Sequence, residues 1–227
     1  MQLVLTPELI LEAYKQGLFP MAYSADSLYV QWLCPEERGQ LPIEDIHIPK
    51  SLKKTVLKNA KRNGPYSIKI NTAFELVMRQ CADPKEDRPE TWINQPLINA
   101  FCELHKKGHA HSIECWRDDV LVGGLYGVSI GSAFFGESMF SRANDTSKIA
   151  LIHLCARLWK GGYKILDTQF TNNHLQQFGV YEVPYGRFMV LLKDAAEHPA
   201  NFFLEGLSEV ELIDDFLQNR GADGLKE

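Results

Sequence analysis

Two carboxylates and one amide stand at the apolar ends of predicted strands, where polar side chains are uncommon. Glu137 lies in the aromatic run around Phe135, and Asp167 ends the apolar part of Tyr163–Phe170, with Gln169 two residues further on. Residues two apart on a strand share one face, so Asp167 and Gln169 point the same way. Because a buried carboxylate is costly unless it is paired or hydrogen-bonded, these side chains predict a site that can take up protons and stabilise developing charge.

The elements that carry these residues alternate between strands and helices. Ser147–Trp159 has helical periodicity, and Ile165–Gln169 reads as a strand. The other predicted elements are a helix opened by Thr6-Pro7-Glu8, strands at Tyr29–Trp32 and Tyr66–Ile70, helices at Thr72–Cys81 and Ile98–Lys107, strands at Ser112–Trp116, Val120–Ile130 and Ser132–Glu137, a short helix at His174–Gly179, a final strand at Phe188–Leu192 and an acidic helix at Glu209–Gln218. This order predicts an α+β fold with a mixed, mainly antiparallel sheet.

A basic cluster lies in the N-terminal third of the chain. Residues 50–69 contain seven lysines and arginines and no acid, on a chain whose formal net charge is -5. Ser51 can cap a helix over Ser51–Arg62. One side of that helix carries Lys54, Lys58, Lys61 and Arg62. This pattern suits contacts to nucleic-acid phosphates, although a solvated helix face produces the same spacing.

The breaker Asn63-Gly64-Pro65 follows the basic helix and predicts a domain boundary. We expect a small N-terminal domain over residues 1–64 and a larger catalytic domain over residues 65–227. A chain of 227 residues suits one large domain with a small companion.

Composition narrows the class of protein. Apolar residues make up 45% of the chain, and no apolar run approaches the roughly 20 residues that span a bilayer. The N-terminus lacks the basic start and the small-residue cleavage site of a secretory signal. Five cysteines without C-x-x-C spacing indicate reduced thiols. We therefore expect a cytoplasmic protein that does not act at a membrane.

Two further motifs support no cofactor site. The glycines of Val120–Ile130 continue as a strand, whereas a dinucleotide loop must open a helix. Glycine within a strand marks a bulge or a close approach by a ligand, and both readings stay open. His109, His111, Glu114 and Cys115 match no zinc-ligand spacing, so no metal site is predicted.

Eight ordered segments resemble the leucyl/phenylalanyl-tRNA–protein transferase family. They are YKQGLFPM at Tyr14–Met21, WLCPEERG at Trp32–Gly39, ETWI at Glu90–Ile93, HKKGHAHSIECW at His105–Trp116, LVGGLYGVSIG at Leu121–Gly131, GESMFS at Gly136–Ser141, LDTQ at Leu166–Gln169 and HLQQFG at His174–Gly179. The resemblance implies an enzyme that moves Leu or Phe, and less often Met, from aminoacyl-tRNA to the N-terminal Arg or Lys of a protein. That addition marks the acceptor for degradation by the N-end rule. The resemblance also implies an acetyltransferase-like (GNAT-like) larger domain and no metal or organic cofactor.

The same resemblance implies roles for particular residues of this chain. The reaction centre would hold Asp167, Gln169 and Glu137. The terminal adenosine of the tRNA would lie near Trp32 and Trp92, whose flat indoles can stack on a base. The aminoacyl side chain would lie among Leu125, Phe134, Leu154 and Leu166, which read equally well as ordinary core residues.

The individual roles stay open at this stage. Asp167 could accept the amine proton or hold the amine, Gln169 could donate to the oxyanion, and Glu137 could hold an ammonium. Leu154 stands where relatives carry a larger aromatic residue, so the preference between Leu and Phe also stays open.

Two other functions remain compatible with parts of the sequence. The order of elements also fits a coenzyme A-dependent N-acetyltransferase, but no glycine-rich pyrophosphate loop precedes Ser147. A non-catalytic module for tRNA ends or basic N-termini would have no need of Asp167 and Gln169. We therefore expect aminoacyl-tRNA and acceptor proteins as partners, without coenzyme A.

Overall fold

The computed structural model describes residues 5–61, 63–84 and 90–220 and has an α+β fold, as predicted. Its helices are α1 (Pro7–Lys15), α2 (Lys50–Ala60), α3 (Phe74–Ala82), α4 (Gln95–Lys106), α5 (Thr146–Lys160), α6 (Asn173–Gln176), α7 (Tyr185–Glu197) and α8 (Glu209–Asn219). Its strands are β1 (Phe19–Ala22), β2 (Val30–Leu33), β3 (Glu37–Gln40), β4 (Ser67–Ile70), β5 (Ala110–Arg117), β6 (Val120–Ile130), β7 (Ala133–Ser141), β8 (Ile165–Gln169) and β9 (Tyr181–Pro184).

The larger sheet has the strand order β4-β5-β6-β7-β8-β3-β9. β7 and β8 run parallel, while the other neighbours in this sheet pair antiparallel. The prediction of a mixed, mainly antiparallel sheet is therefore confirmed. The parallel pairing places Asp167 opposite Phe135, two residues before Glu137, so the two predicted acids meet on adjacent strands.

Strand β3 comes from the N-terminal part of the chain and lies between β8 and β9. Gly39 pairs with Gln169 and Gln40 pairs with Asp167, with a register irregularity between the two positions. Residues before 64 thus contribute backbone to the sheet that carries the candidate site. The domain boundary at residue 64 stays a prediction.

Helices cover both faces of the sheet. α2, α5 and α8 pack on one face around a continuous apolar cluster, and α1, α3, α4 and α7 pack on the other. Most residues of α5 are buried, because its sides also contact α2 and α8. The candidate site lies where these two layers meet the middle of β7 and the end of β8. Glu137 was predicted wrongly as a strand end, because β7 continues to Ser141.

The predicted helix starts were partly right. The Thr6 hydroxyl accepts a hydrogen bond from the Leu9 amide at 3.2 Å and caps α1 as expected. Ser51 was predicted wrongly as the cap of α2: the helix begins at Lys50, and Pro49 occupies the cap position without a side-chain hydrogen bond. Proline has a fixed φ near the helical value and no amide hydrogen to satisfy, so a helix can begin directly after it.

The predicted strand at Phe188–Leu192 was wrong, because these residues lie within helix α7. Phe188, Leu192 and Ala195 are its buried residues, and their spacing of four and then three is helical. Five residues are too few to separate a period of two from one of 3.6 when the segment is largely apolar.

Candidate active site

A buried ion pair between Arg38 and Asp167 lies at the centre of the site. Nε and Nη2 of Arg38 donate to Oδ1 and Oδ2 of Asp167 at 3.1 and 2.6 Å, and both side chains are 0% exposed. The third nitrogen, Nη1, donates to the carbonyl oxygen of Gly17 at 2.7 Å. Burial raises the pKa of Asp167 above its ordinary value, and the guanidinium opposes that rise. The carboxylate therefore has a permanent cation bound side-on.

Gln169 occupies a strained turn directly after Asp167. Its φ is +58°, and the Phe170 amide donates across it to the Thr168 carbonyl at 2.6 Å. The Gln169 backbone N–H also donates to Oδ2 of Asp167 at 3.3 Å. A Cβ at Gly39 on the paired strand would lie 2.7 Å from the Phe170 carbonyl carbon. Glycine is required there because the strained turn approaches so closely.

Glu137 is the second acid of the site. Its Oε1 accepts hydrogen bonds from the Tyr14 hydroxyl at 2.6 Å and from Nε2 of Gln169 at 3.1 Å. Loss of hydration raises the pKa of Glu137 to about 8, and the nearby Asp167 adds to the rise, while Tyr14 and Arg38 oppose it. The predicted trio of Asp167, Gln169 and Glu137 is therefore one hydrogen-bonded group.

A cavity of about 640 Å³ adjoins this group. Such a volume lies within the usual range of about 300–1,000 Å³ for small-ligand sites. The predicted Leu125, Leu154 and Leu166 line it from β6, α5 and β8, respectively. Its wall also contains Leu41, Tyr126, Gly136, Glu137, Ser138, Met139, Leu151, Thr168, Asn172, Asn173, His174 and Leu175. Glu137 thus connects the hydrogen-bonded group to an apolar hole.

Three predicted substrate-binding residues, Phe134, Trp32 and Trp92, do not line this cavity. Phe134 is 0% exposed, and its ring stacks on that of Phe202 with centroids 5.8 Å apart. Trp32 lies on β2 opposite Pro20. The carbonyl oxygen of Trp92 accepts from the Ala22 amide at 3.1 Å. Both indoles are half-buried, so the ring surface left to a base is partial, and these roles stay predictions.

The predicted phosphate-binding residues divide into three cases. Lys54 and Lys58 are exposed on α2, one helical turn apart. Lys61 pairs with Asp214 of α8 at 3.6 Å, so the acidic helix partly neutralises the patch. Arg62 lies outside the described residues.

Two residues of the site were missed by sequence reasoning. Arg38 reads as a surface charge beside Glu36 and Glu37, and Tyr14 reads as one apolar position of an amphipathic helix. Both are fully buried in contact with the predicted acids. The available signal was that they stand inside two of the segments that carry the resemblance, YKQGLFPM and WLCPEERG.

The described residues offer few alternatives to this site. Within them, no group of three or more His, Cys, Asp or Glu side chains is placed to hold a metal ion, and none of their helices is long and apolar enough to cross a bilayer. His111 is buried against Phe202, with ring centroids 3.8 Å apart, and burial lowers its pKa to about 3. All five cysteines lie within the described residues, and none of them forms a disulfide.

A mainly apolar cavity bordered by Glu137, whose pKa is raised and which accepts from the Gln169 carboxamide, suits acyl transfer, which needs a proton acceptor and a donor to the oxyanion. Comparison with known proteins makes this class specific. The profile described as leucyl/phenylalanyl-tRNA protein transferase matches residues 40–193, and the profile of its N-terminal domain matches residues 4–36. The chain belongs to the leucyl/phenylalanyl-tRNA–protein transferase family, whose members are aminoacyltransferases.

Two relatives illustrate the extent of the match. The chain is 51% identical over 198 residues to the leucyl/phenylalanyl-tRNA–protein transferase of Paramagnetospirillum magneticum. The aligned region covers 87% of this chain and 92% of that protein. It is 51% identical over 196 residues to the protein of the same name from Hyphomonas neptunium. That aligned region covers 86% of this chain and 74% of the relative.

Proposed function

We propose that this protein transfers Leu, Phe or Met from aminoacyl-tRNA to the N-terminal Arg or Lys of acceptor proteins and so marks them for degradation. The observation that carries the proposal is the cavity of about 640 Å³ beside Glu137, in a chain of this family. The cavity takes the aminoacyl side chain among Leu125, Leu154 and Leu166. An apolar pocket separates side chains that differ by one methylene by only about 1–3 kcal/mol, so overlapping use of Leu, Phe and Met follows.

The rest of the donor extends outward from this cavity. Trp32 and Trp92 border the terminal adenosine, and Phe134 supports the wall from behind. Lys54, Lys58, Lys61 and Arg62 bind phosphates of the tRNA. Exposure of Lys54 and Lys58 on one side of α2 supports this contact. Exposed lysines that neutralise phosphates release the counterions condensed on the nucleic acid, which favours binding.

The reaction itself joins an amine to an activated ester. The acceptor nitrogen attacks the ester carbonyl, the peptide C–N bond forms, and the ester C–O bond breaks to release the ribose hydroxyl. One N–H of the Gln169 amide binds Glu137, and the second N–H donates to the oxyanion. Asp167, Gln169 and Glu137 together form the reaction centre, and no metal, nucleotide or coenzyme A takes part.

The wider expectations belong to the same proposal. The larger domain is acetyltransferase-like, with a boundary near residue 64, and the protein works in the cytoplasm. The absence of disulfides among the five cysteines, all of which the structure describes, supports that location, because thiols stay reduced in such a compartment.

The test uses Leu-tRNA radiolabelled in its aminoacyl group, with an acceptor protein that begins with Arg. After mild base hydrolyses the remaining ester, label should stay acid-insoluble on the acceptor. An acceptor that differs only by an N-terminal Ala is the matched control and should remain unlabelled. A requirement for coenzyme A would favour the N-acetyltransferase, and tRNA binding without transfer would favour the binding module; either result would contradict the proposal.

A further inference from the structure

Arg38 is the most constrained charged side chain near the cavity. All three of its guanidinium nitrogens donate, two to Asp167 and one to the carbonyl of Gly17. Its Cζ lies 5.1 Å from the ring centroid of Phe19 and 4.6 Å from that of Phe188. These contacts fix the guanidinium plane, so Arg38 has one orientation from which to hold Asp167.

Asp167 is thereby withdrawn from proton transfer. Both of its oxygens accept from Arg38, and Oδ2 also accepts from the Gln169 backbone. The side chain is 0% exposed and does not belong to the cavity lining. A general base must reach the proton it removes within hydrogen-bond distance or through one water. A carboxylate sealed beneath a guanidinium does not meet that condition.

The same carboxylate holds the strained turn at Gln169. A positive φ at a residue other than glycine costs of order 1–3 kcal/mol and persists only where the surroundings enforce it. Here the enforcing contacts are the hydrogen bond from Gln169 to Asp167 and the close approach of Gly39. Arg38 therefore acts on Gln169 through Asp167, and the turn delivers the Gln169 amide to Glu137.

Glu137 is the carboxylate that remains accessible to an amine, since it belongs to the cavity wall. The ionisable groups around it are Tyr14 on α1, Arg38 on β3 and Asp167 on β8. Across the cavity wall lie Tyr126 on β6 and His174 on α6. Its raised pKa of about 8 matches the value of about 7.7–8.0 for a protein α-amino group. Proton exchange between the two groups is then nearly balanced.

We infer that Arg38 is a positioning residue for the transfer reaction: it holds Asp167 out of proton transfer and Gln169 in its turn, so that Glu137 accepts the amine proton. This inference rests on the proposed function. The acceptor ammonium gives one proton to Glu137, and the free amine attacks the ester. As the tetrahedral intermediate collapses, Glu137 returns that proton to the departing ribose oxygen. The second proton that the nitrogen loses passes to solvent.

The experiment compares three variants. Two are the single substitutions Arg38→Met and Arg38→Lys. The third, called the neutral pair, is a double variant that carries both Arg38→Met and Asp167→Asn. The neutral pair removes both buried charges together, which avoids leaving one uncompensated. We expect its kcat to fall by about 100-fold, the scale of a small misplacement of reacting groups, with little change in the KM for Leu-tRNA. Arg38→Lys keeps the positive charge but cannot make the two parallel hydrogen bonds of a guanidinium to Asp167. Its kcat should therefore lie between that of the wild type and that of Arg38→Met.

The pH profile of kcat then separates the two acids. With one acceptor throughout, Asp167→Asn should keep the acid limb and move it to lower pH, because losing a nearby negative charge lowers the pKa of Glu137. Glu137→Gln should lose that limb. The control is Arg157→Met, which breaks a partly buried pair with Glu209 of α8 and should lower Tm without changing kcat per folded molecule.

Three results would overturn these statements separately. Wild-type kcat in the neutral pair would remove Arg38 from the reaction. Loss of the acid limb in Asp167→Asn, with its retention in Glu137→Gln, would make Asp167 the proton acceptor. Absence of transfer by the wild-type protein would instead overturn the proposed function, and the variants would then have no activity to compare.

Discussion

Replacement of Glu137 by Gln should make the folded protein more stable at pH 8 and at the same time less active. The substitution keeps the shape and the oxygen that accepts from Tyr14 and Gln169. It removes a carboxylate that is ionised at the cost of lost hydration. The amide nitrogen of the new side chain can face the cavity, so it is not forced into the apolar interior without a partner.

The magnitude follows from the pKa of Glu137. Its rise from 4.5 to about 8 corresponds, at 1.36 kcal/mol per unit, to about 5 kcal/mol. Because Glu137 borders the cavity and is only partly buried, this figure is an upper bound. The folded state keeps its proton up to about pH 8, whereas the unfolded state loses it near 4.5. Stability due to this group therefore falls as pH rises through that window.

The assay is urea unfolding of both proteins at pH 5, 6.5 and 8. The free energy of unfolding of Glu137→Gln should increase relative to that of the wild type as pH rises from 5 to 8. Glu103→Gln, at an exposed surface pair with Lys106, should show no such trend. A difference in unfolding free energy between Glu137→Gln and wild type that stays constant from pH 5 to 8 would contradict the raised pKa of Glu137.

Activity provides the opposite signal in the same variant. A general base contributes about 10²–10⁴-fold to a rate, so kcat for transfer should fall by at least about 100-fold at pH 8. A gain in stability combined with a loss of rate is expected where a buried group is retained for chemistry. Loss of both stability and rate would instead indicate that Glu137 serves the fold.

Three further predictions concern the remaining parts of the site. The double variant Lys54→Ala/Lys58→Ala should weaken tRNA binding and flatten its salt dependence by about two ion contacts. Transfer from aminoacyl-adenosine should be unchanged. The control Lys106→Ala should bind tRNA as the wild type does. Leu154→Ala enlarges the cavity and should raise kcat/KM for Phe-tRNA relative to Leu-tRNA by about tenfold or more, at about 2–5 kcal/mol of stability; an unchanged ratio would place the aminoacyl side chain elsewhere. Gln169→Ala should lower kcat by about 10²–10³-fold with donor KM nearly constant, and a wild-type kcat would exclude its role at the oxyanion.

Local patterns were sufficient for much of the fold. The boundaries of β6 and β8 were predicted residue for residue, because each is an apolar run bounded by turn signals. The Thr6 cap followed from the chemistry of the first helical turn. The strand predicted at Phe188–Leu192 failed because a short apolar segment carries no reliable period, and burial on one side only becomes known once the sheet exists.

The sequence alone identified Glu137, Asp167 and Gln169 as candidate site residues, because polar groups in apolar strands need partners. It also determined the family, through motifs spread along the chain. The residues that bind these polar groups became known only from the tertiary structure. Arg38 lies 129 positions from Asp167, and Tyr14 lies 123 from Glu137, and no local pattern encodes contacts between such distant positions. The insertion of β3 beside β8 places a guanidinium on Asp167 and leaves Glu137 facing the cavity, so long-range strand pairing gives the two acids different surroundings.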